Sequence, residues 1–532
     1  MNVTGVVDDG MLAGNMADLL ARMGCSSGSI AECMPSSSAL IAAGGALALG
    51  YTLWEQAKFR WYRAFKKGGV MPGPSVVTPI LGGIVEMVKD PYGFWEKQRQ
   101  YSFPGMSWNS ICGVFTIFVT DAALSRYVFS HNSEDSLLLC LHPNAEWILG
   151  GTNIAFMSGP EHKALRKSFL ALFTRRALGL YVLKQDALIR KHFEDWLSMP
   201  GPVEVRPLIR DLNANTSQEV FMGPYLDDPQ ERAQFYESYR AMTDGFLAFP
   251  LMVPGTAVWK GRKGRFYIVK ILTKAAARSK VRMAAGQEPE CLLDFWTKQI
   301  LSDMKDAADA GTEPPFYSDD KRIAETMMDF LFASQDASTA SLVWTVTLMA
   351  EHPDVLARVR EEQLRLRPDP SAPITGDVLN EMTYTRQVVK EILRFRPPAP
   401  MVPQRAQVPF KLTETYTAPK GSLIIPSVIS ACKQGYSEPD RFDPDRFGPE
   451  RQEDIKFASN YLVFGHGPHY CVGKEYANNH LTVFLSLLST SLDWSRVRSA
   501  ESDEIKYLPT IYPGDSVFHM GRFGGKVGCK AV

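Results

Sequence analysis

The stretch Phe464-Gly465-His466-Gly467-Pro468-His469-Tyr470-Cys471-Val472-Gly473 decides the fold of this chain. Its glycines allow positive φ angles or close backbone approach, and Pro468 fixes φ and removes a donor, so the stretch predicts a rigid loop. The largely apolar run that follows from Lys474 predicts a buried helix. Cys471 therefore stands just before the start of a helix.

A cysteine in this position faces unpaired N–H groups and the positive end of a helix dipole, which lower the pKa of a thiol and favour the thiolate. A thiolate is the axial ligand that iron needs when electron density is pushed toward O–O cleavage. The pattern predicts that Cys471 is an iron ligand. The alternative is a buried free cysteine on a loop.

The composition is that of a globular chain of 532 residues, 45% of them hydrophobic, which is enough to bury a sizeable core. The formal net charge is zero, so no nucleic-acid partner is expected. The 8 cysteines form no CxxC pair, which disfavours a zinc site or a disulfide framework and indicates a reducing compartment. No glycine-rich dinucleotide or nucleotide motif stands between a strand and a helix.

The N-terminal part contains a segment without charge from Cys33 to Trp54, which approaches the length of a membrane span. We expect residues 1–32 to be lumenal, 33–54 to be a membrane anchor, and 55–83 to be a basic and proline-glycine elbow. A cleaved signal peptide is the alternative to the anchor, and an ordinary loop is the alternative to the elbow. Basic residues dominate after the segment, so the positive-inside rule predicts that the remaining chain is cytosolic.

A long helix is predicted from Lys321 to about Glu351, apolar on almost every side and therefore deeply buried. Its middle is Ala333-Ser334-Gln335-Asp336-Ala337-Ser338-Thr339. A buried carboxylate is costly unless it is paired or used, so Asp336 is a candidate functional acid, and its small neighbours leave room for a ligand. The alternative is that the hydroxyl groups bond back to carbonyls of their own helix.

Two charged pairs lie on other predicted helices. His162 and Arg166 are four residues apart and share one helix face, where they could hold the carboxylates of a cofactor or could simply be solvated. Glu391 and Arg394 are one turn apart, and Arg446 follows in a turn-rich stretch, so the three form either a cluster or only surface ion pairs.

Four further stretches matter for the fold or the site. Residues 114–119 predict a strand, and the apolar, proline-bounded stretch 246–254 is either a core loop or a second membrane contact. Residues 401–403 and 508–512 are either walls of a ligand pocket or plain core.

Taken together, and in this order along the chain, these stretches resemble the cytochrome P-450 family of heme-thiolate monooxygenases. The resemblance covers nearly the whole chain and implies a mainly α fold over residues 84–532, a large helical domain with a smaller β-rich region. It also implies heme b as cofactor, with Cys471 as the metal ligand and with Glu391, Arg394 and Arg446 as a buried network. The other residues that it implies for heme binding are Arg166, Arg405, His469 and His162 at the propionates, and Phe464 in the loop.

Two departures from the family pattern indicate a branch. His469 stands where the family usually has arginine, and Ala337 follows Asp336 where the family usually has threonine. The combination of Phe-Gly-x-Gly-Pro-His-x-Cys-x-Gly with Ala-Ser-Gln-Asp-Ala-Ser is similar to the fungal and plant sterol C-22 desaturase branch.

That resemblance implies introduction of the C22–C23 double bond into a sterol side chain in ergosterol-type biosynthesis. O2 and two electrons are required, delivered from NADPH by a separate reductase at the endoplasmic reticulum membrane, with the catalytic domain facing the cytosol. Asp336 would relay protons together with Ser338 or an ordered water. The alternatives are another sterol oxidation such as 14α-demethylation, a heme-thiolate rearrangement without a reductase, and a non-catalytic heme-binding protein.

Overall fold

A computed structural model describes residues 37–102, 105–133, 135–507 and 510–524 of the chain. The chain divides into two compact units, one ending at Trp61 and the other beginning at Tyr62. Helix α1 spans Ser37–Tyr62, and its apolar side chains Ile41 and Leu47 are highly exposed, at 75% and 76%. The predicted lumenal segment 1–32 and residues 33–36 of the predicted anchor lie outside the described residues.

Within the described ranges, no helix is both long enough and apolar enough to cross a membrane. Residues 37–54 of the predicted anchor belong to α1. The anchor stays a prediction.

The second unit is mainly α-helical, as predicted. Its helices are α2 (Ile84–Lys89), α3 (Pro91–Tyr101), α4 (Ala122–Ser130), α5 (Ala145–Leu149), α6 (Gly159–Ser168), α7 (Arg175–Leu197), α8 (Val205–Met222), α9 (Pro229–Phe246), α10 (Ala257–Ala284), α11 (Leu292–Asp309), α12 (Asp320–Glu351), α13 (Pro353–Leu366), α14 (Gly376–Glu381), α15 (Thr383–Phe395), α16 (Val428–Ala431), α17 (Glu453–Lys456) and α18 (Lys474–Ser491). The predicted helices from Lys321 and from Lys474 are confirmed as α12 and α18.

The strands form one main sheet and three small ones. They are β1 (Met106–Ile111), β2 (Val114–Val119), β3 (Leu137–Leu139), β4 (Val203–Glu204), β5 (Gln404–Ala406), β6 (Phe410–Lys411), β7 (Thr417–Ala418), β8 (Leu423–Pro426), β9 (Leu492–Arg496), β10 (Ile505–Tyr507), β11 (Ile511–Pro513) and β12 (Val517–Arg522). The main sheet has the order β1-β2-β8-β5-β3, with β2 and β8 parallel and the other pairs antiparallel. The predicted strand over residues 114–119 is confirmed as β2.

Helix α12, called the central helix below, runs through the core of the second unit. It begins where the Asp319 side chain accepts a hydrogen bond from the N–H of Arg322, and it ends just before Pro353, which opens α13. Its first half contributes Met327 to one large apolar cluster, and its second half contributes Val343 to another. Both clusters therefore fix its position, as its apolar surface predicts.

The proline-glycine stretch after residue 71 packs against strand β1. The carbonyl of Pro72 accepts a hydrogen bond from the N–H of Trp108 at 2.9 Å, and the N–H of Gly83 donates to the carbonyl of Ser110 at 2.7 Å. A Cβ atom on Gly73, where φ is +154°, would come within 2.3 Å of the Trp108 carbonyl oxygen. Close backbone approach therefore requires glycine here, and the stretch is a fixed part of the second unit.

Glu391, Arg394 and Arg446 form one buried cluster, so the alternative of surface ion pairs is wrong. All three side chains are 0% exposed. The Glu391 carboxylate accepts from Arg394 Nε at 2.7 Å and from Arg446 Nε at 3.1 Å, and it also accepts from the backbone N–H of Asp443 at 2.9 Å. Helix α15 is thereby joined to the turn-rich segment around Arg446.

His480, in helix α18, makes the stability of the fold sensitive to acid. It is fully buried, and neither ring nitrogen has a hydrogen-bond partner among the described residues. Burial lowers the pKa of His480 from 6.5 to about 4, so the unfolded chain binds a proton more readily than the folded one. The stability that the neutral His480 ring contributes is therefore fully present above pH 6.5 and is lost as the pH falls toward 4.

The buried ring accounts for about 3 kcal/mol of the free energy of unfolding that is lost in acid, at about 1.4 kcal/mol per pKa unit. We expect the variant His480→Leu not to show this part of the loss. Urea unfolding at a series of pH values measures how the free energy of unfolding changes with pH. The matched control is His519→Leu, because His519 is exposed on strand β12 and has little burial to relieve. An unchanged slope in His480→Leu would contradict the prediction.

Candidate active site

The cysteine loop, residues 464–473, closes on itself directly before helix α18. The N–H of Cys471 donates to the carbonyl of Phe464 at 2.9 Å. Gly465 and Gly467 have φ values of +71° and +72°, and a Cβ atom on Gly467 would lie 2.5 Å from the Phe129 carbonyl oxygen. The loop therefore needs glycine at these turns, as the sequence pattern predicts.

The thiol of Cys471 does not have the low pKa that was predicted from the helix end. Burial raises its pKa, and the N–H of Gly473 with the charges of Arg166 and Lys474 offsets only part of that effect. Desolvation disfavours the thiolate more than the neighbouring donors favour it. A bound metal cation would supply the missing stabilisation, because metal binding displaces the thiol proton.

Cys471 lines a mainly apolar cavity of about 340 Å³ that the central helix also lines. Among the described cysteines, it alone reaches this cavity. The central helix contributes small side chains, which are Ala333, Ser334, Ala337, Ser338 and Ser341. Much of the remaining wall is aromatic and is made by Phe129, Phe173, Phe221 and Phe330. The cavity thus offers a sulfur ligand, a flat helix surface and an apolar wall.

Two stacked imidazoles lie beside the cysteine loop. The rings of His162 and His469 are 4.3 Å apart between centroids and 16° from parallel, and His469 also lines the cavity. Burial is the main cause that lowers the pKa of each to about 4, and the charge of Arg166 adds to it. The Nε2 atoms of both rings are buried without a hydrogen-bond partner among the described residues. In the tautomer that carries its hydrogen on Nε2, each neutral ring would donate to an acidic group at this edge.

The other predicted heme contacts differ in their positions. Arg166 donates to the carbonyl of Tyr470 at 2.6 Å, so its guanidinium supports the loop beside Cys471. Phe464 lines the cavity. Arg405 is exposed on strand β5, and the cavity wall at this strand is formed instead by its neighbour Gln404. The heme-binding roles of these residues stay predictions.

The predicted catalytic residues occupy different sides of the central helix. Ser338 lines the cavity, and no side-chain hydrogen bond joins it to the rest of the described chain. Asp336 is absent from the cavity lining. Burial raises its pKa, and the positive charges of Arg210 and Arg206, both on helix α8, offset part of that effect. Of the hydroxyls in residues 333–339, that of Ser334 bonds back to the helix, as the alternative expected: it donates to the Leu331 carbonyl at 2.9 Å.

The sequence patterns missed one polar pair in the cavity wall. Asn132 donates from Nδ2 to Oε1 of Gln404 at 2.8 Å, and both residues are buried and line the cavity. The two positions are 272 residues apart, and neither lies in a motif. Of the predicted pocket walls, Val402 lines the cavity, whereas Leu508 and Pro509 lie outside the described residues.

The residues at this cavity fit a heme group. A cysteine sulfur faces a helix surface made of alanine and serine, which leaves space for a flat macrocycle. The unpaired Nε2 atoms of His162 and His469 provide donors for its carboxylates. A large helical fold that brings a loop cysteine into such a cavity defines a heme-thiolate protein.

The comparisons with known proteins agree. A family model described as Cytochrome P450 matches residues 72–506. The chain belongs to the cytochrome P450 family, and it is a monooxygenase-type oxidoreductase for which the family implies heme and a redox partner. This confirms the resemblance found in the sequence.

Relatives lie in plants and fungi. The chain is 43% identical to cytochrome P450 710A3 of Arabidopsis thaliana, over 86% of this chain and 92% of the relative. It is 36% identical to C-22 sterol desaturase ERG5A of Gibberella zeae, over 85% of this chain and 86% of the relative. A solved structure, retinoic acid bound cyanobacterial CYP120A1, has a TM-score of 0.72 at 23% identity and covers 85% of this chain and 99% of its own, which supports the fold.

Proposed function

We propose that the protein introduces the C22–C23 double bond into a sterol side chain, in ergosterol-type sterol biosynthesis. The observation that carries the proposal is the apolar cavity at Cys471, combined with relatives whose names are C-22 sterol desaturase. In the balanced reaction, the side chain loses one hydrogen from each of two neighbouring carbons. O2, two electrons and two protons are consumed, and two waters leave with the alkene.

Heme supplies the activation of O2 when it is bound, and the side chains of the protein control what reaches it. The aromatic wall of Phe129, Phe173 and Phe221 excludes water and suits the hydrocarbon surface of a sterol. Ala333 and Ala337 keep the central helix thin where a substrate must lie close to the cofactor. Electrons come from NADPH through a separate reductase, because no nucleotide motif occurs in the chain.

Proton delivery to the cavity is the second task of the central helix. Burial raises the pKa of Asp336, so this carboxyl group binds and releases protons closer to neutral pH than an ordinary aspartate does. Asp336 lies outside the cavity lining, and Ser338 is part of it. We expect a proton to pass from Asp336, through water, to the hydroxyl of Ser338, which takes the role that Ala337 cannot perform.

The proposal is tested with the full-length, heme-loaded chain, an NADPH-dependent reductase and a sterol whose side chain is saturated at C22. The expected product is two hydrogens lighter, with an alkene at C22, and one NADPH is consumed for each alkene. An oxygenated sterol without a C22 alkene would indicate another oxidation, such as 14α-demethylation. Conversion of a lipid hydroperoxide without reductase would indicate a rearrangement enzyme, and no turnover of any sterol would indicate a heme-binding protein without catalysis.

Replacement of Ser338 by alanine is expected to reduce alkene formation per NADPH by about tenfold or more, because a positioned proton donor contributes at least that much. Product and NADPH are measured in the same reaction. The control is Thr345→Val, two turns further along the central helix, where the hydroxyl already donates to the Ser341 carbonyl at 2.8 Å. Equal alkene formation per NADPH in Ser338→Ala and in the wild type would show that Ser338 takes no part in proton delivery.

We also propose that the protein resides at the endoplasmic reticulum membrane with its catalytic unit in the cytosol. The uncharged segment 33–54, followed by basic residues, supports this location. The stretch after helix α9 supports a second contact, because Phe249 is 81% exposed and Leu251 and Val253 are also exposed. Protease protection of sealed microsomes tests the orientation: the catalytic unit is expected to be digested without detergent.

A further inference from the structure

Asn213, on helix α8, holds one turn of the central helix from the side. It is fully buried, and its Nδ2 atom donates to the carbonyls of both Ser334 and Gln335 at 2.9 Å. The same amide reaches Oγ1 of Thr339 at 3.4 Å. One side chain thus contacts three positions of the helix segment that contains Asp336 and Ser338.

These contacts are additional to the hydrogen bonds of the helix itself. Both carbonyls lie inside an uninterrupted helix, where each accepts from the N–H four residues further on. A carbonyl oxygen has two lone pairs, so each can also accept from the amide of Asn213. The backbone of the helix does not need the hydrogen bonds from Asn213. Their effect is to fix the position of this turn.

Two other polar contacts join the same helices at the same turn. Ser217 and Ser334 are linked between their Oγ atoms at 2.9 Å, and Nε2 of Gln335 donates to the carbonyl of Arg210 at 2.9 Å. Arg210 is also the residue whose charge acts on Asp336. Helix α8 therefore sets both the position of the turn and the charge that faces its carboxyl group.

We propose that Asn213 is a positioning residue that keeps Asp336 and Ser338 in register for proton delivery to the cavity. The proposal rests on the proposed function in one respect, namely that the protein consumes O2 and protons. Ser338 lines the cavity and Asp336 does not, although the two lie two residues apart on one helix, so a proton must pass along the helix surface between them. A rotation or shift of this turn changes the length of that path, and the amide of Asn213 opposes such a shift at both carbonyls.

The test compares Asn213→Leu with Asn215→Leu in the full-length, heme-loaded chain. Leucine has a similar size to asparagine but no donor, and it also removes Oδ1 of Asn213, a buried acceptor without a partner among the described residues. We therefore expect a melting temperature within about 3 °C of the wild type. Asn215 lies two residues further along α8 and is exposed, so its variant controls for the substitution itself.

The main readout is the fate of the electrons, measured with the reductase and a sterol that changes the heme spectrum on binding. Asn213→Leu is expected to lower product per NADPH by about tenfold and to release hydrogen peroxide instead, because a small misplacement of reacting groups is that costly. Hydrogen–deuterium exchange of the amides of residues 334–342 is expected to increase in the same variant. Asn213→Ser keeps one donor, so its product per NADPH is expected to lie between the values of the wild type and the leucine variant. If the leucine variant does not fold, the serine variant tests the role of Asn213.

Two results would overturn the role of Asn213: a product-to-NADPH ratio equal to that of the wild type, or an equal loss in Asn215→Leu. A wild type that consumes no NADPH with any sterol would instead contradict the proposed function. A wild type that oxidises a sterol at another position leaves the comparison valid, because peroxide release does not depend on which bond is oxidised.

Discussion

Replacement of Cys471 by alanine is expected to abolish the thiolate-type carbon monoxide spectrum of the heme-loaded protein and to reduce turnover to background. Cys471 is the single cysteine of the described chain that lines the cavity, so no other described thiol can take its place. Desolvation raises the pKa of this thiol, and a bound iron would favour the thiolate again. The bond to the metal is therefore what the variant loses.

The matched control is Cys112→Ser, because Cys112 is exposed in the turn between β1 and β2 and is absent from the cavity wall. Its spectrum and turnover should equal those of the wild type. Heme content is measured for both variants by extraction, so that a lost ligand is distinguished from a lost cofactor. Persistence of the thiolate-type spectrum in Cys471→Ala would show that the ligand assignment is wrong.

Local sequence patterns were enough to predict the parts of the site that are built from neighbouring residues. The glycines around Cys471 fix a loop by their own backbone freedom, and the apolar run after Lys474 needs no partner to be identified as a helix. The pair of His162 and Arg166 is likewise set by helical spacing, and both lie at the loop as expected.

Parts of the site that depend on distant residues could not be predicted. Asp336 is on the expected helix, but its pKa also depends on the charge of Arg210, which comes from more than a hundred residues earlier. Asn132 and Gln404 meet because Asn132 bridges Leu137 of β3 and because β3 pairs with β5, which contains Gln404. The pKa of Cys471 is raised and not lowered, because desolvation by the surrounding protein outweighs the helix end, and that surrounding is not visible in the sequence.

The cluster around Glu391 depends both on local spacing and on a contact with a distant residue. The spacing of Glu391 and Arg394 shows that they share a helix face, yet the same spacing occurs in surface ion pairs of little value. What makes this pair different is Arg446, which comes from a separate segment and bonds to the same carboxylate. Arg446 also donates to Glu453 at 3.1 Å, so two arginines and two carboxylates compensate each other in the interior.

Replacement of Glu391 by glutamine is expected to destabilise the protein by about 3–5 kcal/mol, or to prevent it from folding, because two buried guanidinium groups lose their shared counter-charge. The carboxylate accepts from Arg394 at 2.7 and 2.9 Å and from Arg446 at 3.1 Å, and an amide can accept on only one of its two atoms. Denaturant unfolding followed by circular dichroism measures the loss, together with the fraction of chain that retains heme.

The control for this change is Glu438→Gln in the same turn-rich region. Glu438 pairs with Arg441 at 3.2 Å, but their side chains are 69% and 67% exposed, so water replaces the lost charge. The expected loss is below about 1 kcal/mol, as for other exposed pairs. Equal stability of the two variants would mean that the cluster around Glu391 is no more important than a surface ion pair. A large loss in Glu391→Gln alone would instead mean that burial turns the same chemical pair into a structural requirement, because a buried charge has no solvent to replace its partner.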